Sequence, residues 1–90
     1  MTTAYEIASH IRSRHEFSGE MQMHKLLYFA QAWSLAWDGV PLFDDRIEAW
    51  KNGPVVPSLR HTTVMADGDV RLTDQQKANI DAVLAHYADN

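Results

Sequence analysis

The stretch "GEMQMHKLLYFAQAWSLAWD", Gly19 to Asp38, decides how the rest of the chain is read. Met23, Leu26, Leu27, Ala30, Trp33 and Trp37 fall on one stripe of a helix. Tyr28, Phe29, Ala32, Leu35 and Ala36 cover much of the remaining surface. A helix that is apolar nearly all round is expected to be central and buried. At ~1.5 Å per residue it is about 30 Å long, the width of a small domain. Ser18 is the expected N-cap, with Glu20 well placed against the helix dipole. Gly39 supplies a left-handed C-terminal cap and Pro41 blocks continuation.

On the N-terminal side, Thr3-x-x-Glu6 has the spacing of a capping box. Ala4, Ile7, Ala8 and Ile11 then form one apolar face, leaving Ser9, Arg12 and Ser13 for solvent. This predicts a first helix over about residues 3–15. On the C-terminal side, Thr73-x-x-Gln76 repeats the capping box. Ile80, Val83, Leu84 and Tyr87 give the face of a last helix reaching about Ala88.

About 34 residues separate the second helix from the third, too many for a structureless loop in a compact domain. Arg46–Trp50 alternates, and Val70–Leu72 follows the turn signal Asp67-Gly68, so these two pieces are candidates for a short two-stranded ribbon. Pro57 suits the first position of a short helix through Leu59 and Met65. The expected fold is mainly α: a compact helical domain around a central hydrophobic helix, with that ribbon before the last helix.

Within the connection, "EAWKNGPVVPSLR" (Glu48 to Arg60) concentrates rigid and bulky residues. Asn52-Gly53 is a turn pair whose members tolerate positive φ. Pro54 fixes φ, and Val55-Val56-Pro57 should run extended. The segment reads as a rigid corner anchored by Trp50 and closed over the second helix. The alternative is a preshaped partner surface with Lys51 and Asn52 at its tip. Two polar residues interrupt the central helix. Lys25 can snorkel to water. Gln31, if buried, needs hydrogen-bond partners, which the backbone of the Gly53 corner could supply. For both residues the alternative to a structural role is a polar site shared with a partner.

Composition narrows the function classes. Ninety residues make one domain, and 46% hydrophobic content argues for a packed core. No apolar run approaches membrane-spanning length, and the N-terminus lacks signal-peptide shape. The absence of cysteine excludes disulfides and fits a cytoplasmic setting. A net charge of −4 without a basic patch argues against nucleic acid and suits a protein partner. The histidines His10, His15, His24, His61 and His86 lack ligand spacing and are expected at the surface or partly buried. Asp44, Asp45 and Glu48 read as a solvated link. No phosphate loop or nucleophile elbow is present, so no catalytic residue, metal or cofactor is expected.

His24 to Arg60, "HKLLYFAQAWSLAWDGVPLFDDRIEAWKNGPVVPSLR", closely resembles the Panacea family, the SocA-like antitoxin domain. The likeness lies in Lys25 to Gln31, in Gly39 to Phe43, and in the corner Glu48 to Pro57. The resemblance implies a helical domain that neutralises a co-encoded toxin by binding it. At least one family member instead presents its partner to a cytosolic protease, and relatives occur in prophages. A cognate toxin, a protease and a second copy of this chain are the partners it allows. Lys25, Tyr28, Gln31, Trp50, Lys51, Asn52, Gly53, Pro54, Val55 and Pro57 are the partner-binding candidates. Family members usually continue past the helix that here ends near Tyr87, with a Leu-Ser-x-Leu-Thr-His-like segment and a Pro-Trp pair. Residues 1–90 are therefore expected to be a single domain lacking the family's C-terminal part, either a shortened member or a fragment.

Overall fold

The structure, a computed structural model, describes residues 2–88. Helix α1 spans Ala4–Arg14, α2 Glu20–Asp38 and α3 Asp74–Tyr87. Between α2 and α3 lie strands β1 (Glu48–Trp50) and β2 (Gly53–Val55) and one 3-10 turn, Pro57–Leu59. Both capping boxes form. Thr3 accepts from the Glu6 N–H while Glu6 accepts from that of Thr3, and Thr73 and Gln76 make the same exchange. Gly39 ends α2 at φ 69°, the left-handed value expected of it. Ser18 is not the N-cap. Gly19 holds that position, and the Gln22 side chain reaches back to the Ser18 N–H (2.7 Å).

Helix α2 is the centre of the molecule, packed against α1, α3 and β2. The core joins Ile7 and Ile11 of α1, Leu26, Leu27 and Ala30 of α2, and Ile80 and Val83 of α3. The connection adds Leu42, Phe43, Val56, Leu59 and Val64 to the core, all buried. The all-round burial expected of α2 is corrected: Tyr28, Leu35 and Trp37 are 43%, 49% and 60% exposed. Aromatic side chains are bulky enough to extend past a core this small. Phe29 stacks on Tyr87 at 4.0 Å between ring centroids, and Trp33 packs on Trp37 and His86 above it.

The ribbon forms from different partners than the alternation of Val70–Leu72 suggested. Glu48–Trp50 pairs antiparallel with Gly53–Val55, Trp50 opposite Gly53, across the two-residue turn Lys51-Asn52. Closing a two-residue turn costs far less entropy than closing the ~20 residues to Val70. Among the described non-glycine residues only His61 takes positive φ, so in the turn pair Gly53 alone carries it, at 129°. The helix expected from Pro57 to Met65 is a single 3-10 turn, because His61 swings to φ 59° and Val64 drops into the core. Ser9, expected in solvent, is 2% exposed, and its carbonyl accepts from the Asp67 N–H at 3.1 Å. That bond lays the long segment after Arg60 across α1.

Gln31 holds the start of the connection. Its Oε1 accepts from the N–H groups of Leu42 (2.7 Å) and Phe43 (3.2 Å), and its Nε2 donates to the Phe43 carbonyl (2.9 Å). Its partner is thus the link after α2 and not the Gly53 corner, which lies against the N-terminal half of the helix. Leu42 and Phe43 are buried, so no water can replace these bonds. Gln31→Leu leaves buried backbone groups unmet and should cost about 2–4 kcal/mol, a large part of a small domain's stability. Urea denaturation checks this. A change below about 0.5 kcal/mol would show the link is held by packing alone.

Candidate functional site

The corner is fastened to α2 by His24. The ring is 3% exposed, and its Nδ1 accepts from the Val56 N–H at 3.1 Å. An accepting Nδ1 places the ring proton on Nε2. That nitrogen faces the Glu20 carboxylate at 3.5 Å, beyond good hydrogen-bond geometry. Glu20 also accepts from the His61 N–H at 2.9 Å, which stabilises the positive φ at that residue. Two side chains one helical turn apart thus hold both ends of the Val56–His61 segment.

The two strands stand above this clamp. Trp50 does not anchor the corner in the core, as its size suggested; it is 39% exposed. Its indole donates to Glu48 at 2.8 Å, and the Arg60 guanidinium lies over the ring at 4.5 Å. Arg46 pairs with the other oxygen of Glu48 at 2.8 Å. Burial is supplied instead by Val56 and Leu59, the residues that follow β2. The corner is therefore both structural and exposed: its base is clamped while its tip, Lys51 and Asn52, faces solvent.

A cleft of about 190 Å³ opens between the first two turns of α2 and the hairpin. Lys25, Trp50, Lys51, Asn52, Gly53, Pro54 and Val55 surround it. Tyr28 lies beyond Pro54 and lines two further grooves that Pro54 also lines. Gln31 and Pro57 do not join this surface; one binds the Leu42–Phe43 link and the other opens the 3-10 turn. Sequence reading missed Glu20, His24 and Arg60, which also line the cleft. The i,i+4 spacing of Glu20 and His24, directly before Lys25, was the available signal.

Asp45 is not a solvated link residue. It accepts from the Ala4 N–H (2.8 Å) and the Ser58 hydroxyl (2.6 Å), tying α1 to the corner. Burial alone would raise its pKa, but the bonds from Ser58 and Ala4 outweigh burial and hold it below the usual value. Glu20 is also lowered, chiefly by the His61 N–H. The other expected surface histidine that proves buried is His10. Its pKa is lowered, first by burial and then by the Arg14 cation. Among the described residues no cluster of His, Asp or Glu is gathered for a metal ion. No helix among them is long and apolar enough to cross a membrane.

A family model described as antitoxin SocA-like, Panacea domain, matches residues 23–89. No curated protein and no solved structure matches the chain.

The three lowered groups act in one direction. Each loses protons more readily when folded, so acid favours the unfolded chain. Stability should be full above pH 6.5, the ordinary value for His10, and decline as His10 titrates. A second decline should begin below the ordinary values of 4.5 for Glu20 and 3.8 for Asp45. Thermal melts across pH check the sign. His10→Asn should shrink the upper step, and a melting temperature that rose on acidification would contradict the assignment.

Proposed function

The chain belongs to the SocA-like antitoxin, Panacea-domain family, and on that premise we propose that it silences a co-encoded protein toxin by binding it directly. The supporting observation is the span of the match. Residues 23–89 include most of α2, the Gln31-bound link, the whole hairpin and α3. The match therefore takes in the cleft's lining from His24 onward, with Glu20 and Met21 just before it, and not the core alone.

The binding surface in this reading is the hairpin with the exposed flank of α2. Trp50 and Tyr28, 39% and 43% exposed, are the aromatic anchors such a surface needs. The His24 and Asp45 contacts hold the hairpin in shape before binding, which reduces the ordering cost of association. The chain acts by occupancy and not by catalysis. The side chains around the cleft include no hydroxyl or thiol nucleophile beside a base.

Co-expression with the neighbouring gene on the genome tests the reading. The neighbour alone should stop growth, and the wild-type chain should restore it. Trp50→Ala and Lys51→Glu change exposed positions, so the chain should remain folded. Loss of an anchor should weaken binding about thirtyfold, at ~2 kcal/mol, and rescue should fail. A toxic neighbour that the wild-type chain does not rescue would refute the proposal.

A further inference from the structure

The cleft has the opposite charge to the chain. The net charge is −4, yet three of the eight Lys and Arg, Lys25, Lys51 and Arg60, line this one hollow. Its carboxylate already has partners: Glu20 takes the His61 N–H and faces His24. Glu48, at the hairpin's outer side, is held by Arg46 and the Trp50 indole. The cations are not matched in this way. Among the described residues neither lysine is ion-paired, and Arg60 contacts the face of Trp50 and no carboxylate. The first turn of α2, the positive end of its dipole, adds to the same field.

His24 is buried beside the cleft; its Nδ1 is taken by Val56, and its Nε2, closed to solvent, faces Glu20 at 3.5 Å. The groups open to an incoming anion are therefore the exposed Lys25, Lys51 and Arg60. At about 190 Å³ the cleft is smaller than a typical small-molecule pocket and suits one or two side chains.

We propose that this cleft receives an acidic segment of the protein partner, with Asp or Glu side chains entering between Lys25, Lys51 and Arg60. This deepens the antitoxin reading, since it rests on a protein partner and specifies its chemistry. A polyphosphate backbone is disfavoured by the net negative charge of the rest of the chain.

The test is an NMR titration of the whole chain with the capped hexapeptide Ac-(Asp-Glu)3-amide at about 0.1 M salt, where charges more than roughly 10 Å apart are largely screened. The matching Lys hexapeptide and a six-nucleotide oligothymidylate serve as comparisons. Saturable shifts are expected at Lys25, Lys51, the Trp50 indole and Arg60, with the acidic peptide alone. Lys25→Glu with Lys51→Glu should weaken binding about tenfold. Arg12→Glu with Arg71→Glu, exposed positions outside the cleft giving the same net charge, should change it less than twofold. Absence of saturable shifts, shifts centred elsewhere, equal loss in both double variants, or tighter binding of the oligonucleotide would each overturn the proposal. No toxin is needed, so a silent titration removes the cleft proposal while growth rescue separately judges the antitoxin reading.

Discussion

The structure depends on one constraint: an irregular connection crosses an apolar helix, and its buried N–H groups must still find acceptors. Helix α2 supplies partners from its own inner face. His24 accepts from Val56, Gln31 from Leu42 and Phe43, and Ser34 donates to the Val40 carbonyl. The residues are spaced seven and then three apart, so they lie along one side of the helix. Between them sit Leu26, Leu27 and Ala30, which supply the apolar contact. The helix is thus a hydrophobic post with polar fastenings at set heights.

This arrangement explains how a two-stranded hairpin, marginal by itself, becomes a fixed feature of a small domain. Its base is held at Val56 by His24 and braced from α1 through Asp45 and Ser58. The apolar residues that secure it lie just after β2, so the strands are free to keep Trp50 and Lys51 outside. Packing and presentation are assigned to adjacent stretches of one segment. Helix α3 completes the assembly from the other end, with Asn79 bonded to Asp38 at 2.7 Å and Tyr87 stacked on Phe29.

Helical periodicity and capping chemistry made all three helices legible, because those signals are local. Gly39 was legible for the same reason. The partner of Gln31 was not. The need for one followed from its position, but the choice depended on height along the helix. Gln31 lies two turns, about 10 Å, beyond His24, which placed the link and not the corner within reach. Among five histidines, His24 was marked only by its i,i+4 spacing from Glu20, which gives a neighbour on the helix and not the Val56 partner across the chain. Asp45 looked like a surface acid because its two partners are distant in sequence. The strand pairing was misassigned because alternation was weighed above loop closure. Long regular helices carry redundant local signals, whereas the N-cap at Gly19, the short strands and the single 3-10 turn are decided by contacts across the chain.

Amide hydrogen exchange on the intact chain tests the account most directly. If α2 side chains fasten the connection, the amides of Leu42, Phe43 and Val56 will exchange as slowly as those of Leu26, Leu27 and Ala30 in the helix. In His24→Leu, Val56 alone of the three should become fast. Rapid exchange of all three in the wild-type chain, at the rate of the exposed segment around Asp69, would contradict the account. It would mean that the connection is held by apolar packing and that the hairpin is not fixed in place before its partner arrives.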